Sequence, residues 1–287
     1  MKKTGEEIPY SEVCGIIDED LAELDLIRLI CFENNNAAFF SDKVLLVEGD
    51  SDLIFFRHIS KILKDEWDFD SNNIPIIKIQ GKGNVLKYKE FFETFDITVH
   101  VILDLDVVVK DFDKLQPDDE TMRLREDLLT NVDQIADEKA ISGDPTKEHI
   151  KEMIRSYTWV QKYERLKELA NTMRTDYYLT EDEITEIQLL FSKEMENKRK
   201  NILKSHEVDL KDELLKKLRE NNIYVLSKGS VESYYPQEVT GRDKVSKAFN
   251  VCKVLTEPGQ ITDLCPQLED GGSSISEFEL IFEKIFE

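Results

Sequence analysis

The chain has 287 residues, of which 40% are hydrophobic and 34% charged, with a formal net charge of -22. That length and apolar share allow one large domain or two smaller ones, and they exclude a disordered tail. The acidic balance excludes a simple basic nucleic-acid clamp, although carboxylates that bind cations add to the formal charge and not to the field once loaded.

Residues 1–40 read as a lead-in. Asp18 to Phe32 carries Leu21, Leu24, Leu26, Ile27, Leu29 and Ile30 at helical spacing, and Asn34-Asn35-Asn36 then breaks the pattern. Val44 to Val47 is a continuous apolar run, the pattern of a strand buried on both faces. Ser51 is placed to cap a helix from Asp52 to about Leu63, with Leu53, Ile54, Phe56, Ile59 and Leu63 inward. Ile74 to Ile79 predicts a second strand, with Pro75 near its start where a missing donor is tolerable. Gly81-Lys82-Gly83-Asn84 turns the chain into a helix through about Phe95, and Thr98 to Leu103 predicts a third strand. Strands alternating with helices in this way imply βαβ units and a parallel sheet.

From 110 to 220 glycine nearly vanishes and charges of both signs alternate with Leu, Ile and Met, the pattern of a long helical insertion. The α/β pattern resumes with a strand over Asn222 to Leu226, a loop at Ser227 to Glu232, and a helix over Asp243 to Val254. Glu257 to Ser274 reads as loop. A short amphipathic helix bearing Ile275, Phe278, Leu280, Ile281, Ile285 and Phe286 closes the chain. The expected organisation is therefore a lead-in over 1–40, a first core part over 41–109, the insertion over 110–220, and a second core part with the C-terminal helix over 221–287.

The chemistry concentrates at strand ends. Glu48-Gly49-x-x-Asp52 follows the first apolar run, with Gly49 expected to permit a tight strand-to-helix turn. Asp104-x-Asp106 follows the third, where alternation along an extended strand would put both carboxylates on one side. The C-terminal ends of strands are where open α/β sheets bind ligands. Carboxylates gathered there repel unless a cation lies between them. Glu232 after the fourth strand adds another carboxylate, and Lys244 and Lys247 follow on the next helix. Gly81-Lys82-Gly83-Asn84 lacks the GxxxxGK[ST] phosphate loop and reads as a βα turn whose N–H groups face a phosphate at most. His58, His100, His149 and His206 show no ligand spacing and read as structural, and Tyr234-Tyr235-Pro236 as packing. Cys14, Cys31, Cys252 and Cys265 form no CxxC pair, the usage of a reduced cytoplasmic protein. No apolar run is long enough to cross a bilayer and no signal-like segment follows Met1, so no membrane partner is expected.

The order Glu-Gly-x-x-Asp, Gly-Lys-Gly, Asp-x-Asp resembles a Toprim domain, the Rossmann-like parallel sheet flanked by helices found in topoisomerases, primases and several nucleases. The finer resemblance, over about residues 30 to 255, is to the OLD (overcoming lysogenization defect) family of ATP-dependent nucleases. Phe39 to Gly49 matches the start of that family's Toprim domain, residues 110–220 its helical insertion, and Glu232-x-Tyr234-Tyr235-Pro236 its late acidic motif. The resemblance implies a metal-dependent DNA endonuclease or nickase of the kind used in anti-phage defence or DNA repair. It implies two Mg²⁺ or Mn²⁺ ions held by Glu48, Asp52, Asp104, Asp106 and Glu232. Lys244, with Lys247 as the alternate, would stabilise charge on the phosphate. It also implies an ATPase domain or subunit and a homodimer as partners. No Walker A motif occurs in the chain, so ATP would enter only through that separate ATPase. A basic track along Lys193, Lys198, Arg199, Lys200 and Lys204 is one reading of that stretch for meeting DNA, and the solvated face of a helix is the preferred one. The alternatives are a non-catalytic Toprim binding module and a DxD phosphatase.

Overall fold

The computed structural model describes residues 37–138, 150, 159–176, 178–191, 194–205, 209–270 and 272–287. The helix expected over 18–32 lies outside them, as do Cys14, Cys31, His149, His206 and Lys193 and the side chain of Lys198. The described residues form two compact units, one of residues up to Met122 with Asp212–Glu287, the other Arg123–Lys211.

The first unit is an α/β fold. In chain order it begins with β1 (Lys43–Val47), α1 (Asp50–Leu63), β2 (Ile76–Lys78), α2 (Val85–Glu93) and β3 (Thr98–Leu103). α3 (Asp119–Glu138) runs from this unit into the second, which holds α4 (Trp159–Asp176), α5 (Glu181–Phe191) and α6 (Glu194–Ser205). α7 (Asp209–Arg219) returns the chain to β4 (Ile223–Val225), α8 (Lys244–Val254), α9 (Pro258–Thr262), β5 (Gln267–Asp270), β6 (Ser273–Ser276) and α10 (Glu277–Phe286). No helix among the described residues is long and apolar enough to cross a membrane.

β1 to β4 form one parallel sheet in the order β2-β1-β3-β4. Val44 to Val47 and Val99 to Leu103 are buried without a break, which is why these strands read as apolar runs rather than alternating ones. From β1 the chain steps one way to β2 and the other way to β3. The crevice between the ends of β1 and β3 is therefore the topological switch point of the sheet.

One face of the sheet is covered by α1, α8 and α10. Phe55, Phe56 and Ile59 of α1 meet Phe278, Ile281, Phe282 and Ile285 of α10 and Val251 of α8. Phe55 and Phe56 stand edge-on to Phe278 at 5.8 and 5.9 Å between ring centres. Each buried aromatic contributes about 1.5–3 kcal/mol, so this layer fixes α10 to α1. A second aromatic group, Phe39 with Phe91 and Phe95 at 5.9 and 5.1 Å, secures α2.

Several local expectations change. α1 starts at Asp50, and its N-cap is Gly49, whose N–H donates to Asp52 Oδ2 at 2.9 Å; Asp52 closes the cap in place of Ser51. Gly49 is extended (φ -148°), a conformation open to any residue, and an added Cβ would meet nothing closer than 3.9 Å. The turn therefore does not require glycine. Pro75 precedes β2, and its carbonyl accepts Leu45 N–H at 3.0 Å. Phe55, absent from the expected inward set, is fully buried. Residues 257–274 are not loop: they hold α9 and an antiparallel hairpin of β5 and β6.

In the second unit Arg199 donates to both carboxylate oxygens of Asp133 at 2.8 and 2.6 Å. That planar, bidentate pair commits Arg199 to packing and removes it from the suggested basic track. Arg165 is likewise paired with the buried Glu186 at 2.7 Å.

Candidate metal centre

Glu48 directly follows β1 and Asp104 directly follows β3, and the two strands are neighbours in register, Val47 beside Ile102. Glu48 Oε1 accepts the Asp104 N–H at 3.1 Å, so one carboxylate reaches across the switch point to the start of the other. The β1–α1 turn brings back Asp52, itself buried.

β3 stops at Leu103. Asp104 is extended, and Leu105–Val108 is a 3₁₀ turn that carries Asp106. The alternation expected for Asp104 and Asp106 therefore does not apply, because the strand has already ended. Asp106 instead forms an ion pair with Lys82. Lys82 follows Gly81, whose φ of +106° favours glycine. Gly81 N–H donates to the Glu48 carbonyl at 3.2 Å, which ties this turn to the end of β1. With its side chain 12% exposed, Lys82 is a partly buried cation at the cluster, one that a Gly-Lys-Gly turn does not announce in the sequence.

The fourth strand contributes Glu232 through the 3₁₀ turn Val231–Tyr234. Its Oε1 lies 2.6 Å from Lys244 Nζ, off the line of a well-directed hydrogen bond. Lys244 opens α8 and leaves 72% of its side chain exposed. Of the two lysines considered, Lys244 thus meets the late carboxylate, whereas the Lys247 ammonium lies 5.7 Å over the ring of Tyr235.

The loop bearing Glu232 is anchored from below by Glu277, the first residue of α10. That buried carboxylate accepts Ser227 N–H at 2.9 Å, the Ser227 hydroxyl at 3.0 Å and the Tyr234 hydroxyl. Gly229 carbonyl accepts Leu105 N–H at 2.6 Å and joins the loop to the end of β3. Neither Glu277 nor Ser227 stands out in the sequence, since an acid at a helix start is ordinary.

Electrostatics bind these carboxylates into one group. Burial, followed by the charges of Glu48, Asp52, Glu232 and Asp106, pushes Asp104 up to about 8. Burial is also the first cause raising Glu48 and Asp52. For Glu232 burial pulls upward, but Lys244 and Ser230 outweigh it and hold the carboxyl below its usual range. Among the described residues no three His, Cys, Asp or Glu donors are drawn together closely enough to enclose an ion as they stand. The chemistry still fits a hard divalent cation. The donors are all carboxylate oxygens, and Asp104 is pushed up by burial first and then by like charges that a cation would neutralise. His58 and His100 take no part: their ring nitrogens face Leu255 O at 2.7 Å and Tyr224 Oη at 3.2 Å. Among the described cysteines Cys252 and Cys265 are free thiols, pushed by burial up to about 11 and about 12.

No curated protein and no solved structure matched the chain. Residues 39–106 match the family described as Overcoming lysogenization defect protein-like, TOPRIM domain. The matched stretch contains Glu48, Asp52, Asp104 and Asp106, and ends before Glu232, Lys244 and Lys247. Such a domain points to a metal-binding function related to nucleic acid. The parallel four-stranded sheet, its switch-point carboxylates and the family match together identify residues 39–106 as an OLD-like Toprim region.

Proposed function

We propose that this chain is the nuclease region of an OLD-type enzyme, hydrolysing DNA phosphodiester bonds with Mg²⁺ or Mn²⁺. The observation that carries the reading is the convergence on Asp104 of carboxylates from the ends of β1, β3 and β4. Glu48, Asp52, Asp104, Asp106 and Glu232 would hold two ions. When bound, the ions would supply activated water and charge neutralisation at the leaving oxygen. The chain's own residues do the rest. Lys244, exposed beside Glu232, reaches a phosphate and offsets charge there. Lys247 is the alternate, held back by its place over Tyr235. The Glu277 anchor keeps the Glu232 turn at the end of β3. Residues 110–220 are the helical insertion of the Toprim core in this reading, and the compact unit Arg123–Lys211 lies within them. An ATPase domain or subunit supplies much of the DNA grip that a chain of net charge -22 lacks, homodimerisation is the assembly, the setting is cytoplasmic, and the role is anti-phage defence or DNA repair.

The test is nicking of supercoiled plasmid with Mg²⁺ or Mn²⁺, by wild type and by Glu48→Gln and Asp104→Asn. Loss of an outer-shell partner alone costs about 10–100-fold, so loss of a ligand should lower nicking at least about 100-fold. Undiminished nicking by both variants, or none by wild type, refutes the reading.

One observation favours a second reading, a non-catalytic Toprim binding module. Two of the five carboxylates, Asp106 and Glu232, already face lysines. Such a module would bind no more than one Mn²⁺ in titration and show no turnover.

A further inference from the structure

Tyr235 is 5% exposed, and its hydroxyl has no hydrogen-bond partner among the described residues. A buried phenol is an amphipathic group whose O–H ordinarily finds an acceptor, because leaving it unpaired costs free energy. The neighbouring Tyr234 follows that rule through Glu277. Tyr235 does not, and nothing in its ring packing explains why. The ring rests against Phe55 at 5.1 Å and under the Lys247 ammonium at 5.7 Å, so Phe would pack there equally well.

The orphan hydroxyl sits at the carboxylate cluster. Glu232 lies three residues earlier, and the charges of Glu232, Asp52 and Asp104 act on the phenol together with the Cys252 thiol. Burial and those charges disfavour the phenolate, so the group is an O–H donor. The Lys247 ammonium lies over the ring face, 5.7 Å from its centre. A donor without an acceptor, in the field of Asp52, Asp104 and Glu232, is complete only when something carrying an oxygen enters beside it.

We propose that Tyr235 is a further residue of the metal centre, its hydroxyl donating to a water oxygen held at the cluster by the bound cation. The inference rests on the metal-binding reading of Glu48, Asp52, Asp104 and Glu232. It gives the second aromatic of the Tyr234-Tyr235 pair a role distinct from the first: Tyr234 builds the loop and Tyr235 completes the site.

Tyr235→Phe tests this in the full chain, with Mn²⁺ alone as the probe. Affinity is read by calorimetry and by electron paramagnetic resonance, and thermal unfolding is followed with and without metal. Asp104→Asn serves as the control for a lost ligand. Tyr235→Phe should weaken Mn²⁺ binding about tenfold and shrink the metal-induced rise in Tm. The metal-free Tm should stay unchanged or rise, because an unpaired polar atom has been removed. A hydroxyl with a merely structural role gives the opposite pattern, a lower metal-free Tm with unchanged Mn²⁺ affinity, and that result overturns the proposal. Wild-type affinity in Tyr235→Phe overturns it as well, while leaving the metal centre intact provided Asp104→Asn has lost binding. Absence of Mn²⁺ binding by the wild type overturns both.

Discussion

His100 makes the stability of the Toprim sheet depend on pH. It sits within β3, 3% exposed, with Nδ1 beside the Tyr224 hydroxyl at 3.2 Å and Nε2 without a partner among the described residues. Burial first, and the Lys43 charge second, lower its pKa from 6.5 to about 4. The imidazole is therefore protonated more easily in the unfolded chain than in the folded one. Its contribution is fully present above pH 6.5 and is lost as pH falls towards 4. A pKa lowered from 6.5 to about 4 corresponds to about 3 kcal/mol in total, of which about 2 kcal/mol is gone by pH 5. Against a typical domain stability of about 5–15 kcal/mol that is a large fraction. Carboxylates also titrate over this range, so wild type is compared with His100→Gln, which removes only this group. Hydrogen exchange of the β3 amides reports the opening of this sheet apart from the second unit. The stability advantage of wild type over His100→Gln should shrink by about 2 kcal/mol between pH 7 and pH 5. A difference independent of pH would show that the imidazole is solvated or charged in the fold, and the reasoning would fail.

Four further outcomes follow from the same structure. Glu277→Leu leaves Ser227 N–H, the Ser227 hydroxyl and the Tyr234 hydroxyl without their acceptor. It should cost about 3–5 kcal/mol in urea unfolding, whereas Glu277→Gln, which keeps a carbonyl oxygen, should cost markedly less. Phe282→Ala opens the layer where α10 meets α1 and Trp67, and chemical unfolding should register about 3–5 kcal/mol. Gly81→Ala forces a side chain into φ +106°, at about 1–3 kcal/mol, and nicking should fall as the Lys82 turn moves. Lys82→Met removes the ammonium from Asp106 and should tighten Mn²⁺ binding a few-fold, measured by calorimetry; weaker binding would mean the lysine supports the ion rather than competing with it.

The sheet was legible in the sequence because its central strands are buried on both faces. Val44 to Val47 and Val99 to Leu103 contain nothing that could face water except His100, so their extent follows from hydropathy alone. The β5–β6 hairpin escaped for the converse reason. Gln267-Leu268-Glu269-Asp270 and Ser273-Ser274-Ile275-Ser276 bury little apolar surface, and their pairing is held by the ladder rather than by a hydrophobic face. The start of α1 was displaced because two residues competed for the cap. Ser51 is a preferred capping type, yet the Asp52 carboxylate reaches back to Gly49 N–H, and that bond marks the terminus.

At the site the division is one of range. Glu48, Asp52, Asp104 and Asp106 are visible because like charges beside apolar strands are costly, and that cost is a local property of the chain. The residues that complete the cluster act over distance. Lys82 meets Asp106 across 24 positions, Ser227 meets Glu277 across 50, and Tyr234 meets Glu277 across 43. In sequence a lysine after glycine reads as a turn, a glutamate after serine as a helix cap, and paired tyrosines as packing. Only the fold distinguishes Lys82, 12% exposed against a carboxylate, from Lys244, 72% exposed against another. That contrast assigns the two lysines different work. In the proposed reading, a partly buried ammonium on Asp106 would compete with a divalent ion for that carboxylate, because both cations draw on the same charge. An exposed ammonium on Glu232 can leave for a phosphate at little cost, since solvent already screens the pair. If the cluster holds a cation as proposed, Lys82 would set how tightly Asp106 takes it, and Lys244 what the loaded cluster could reach.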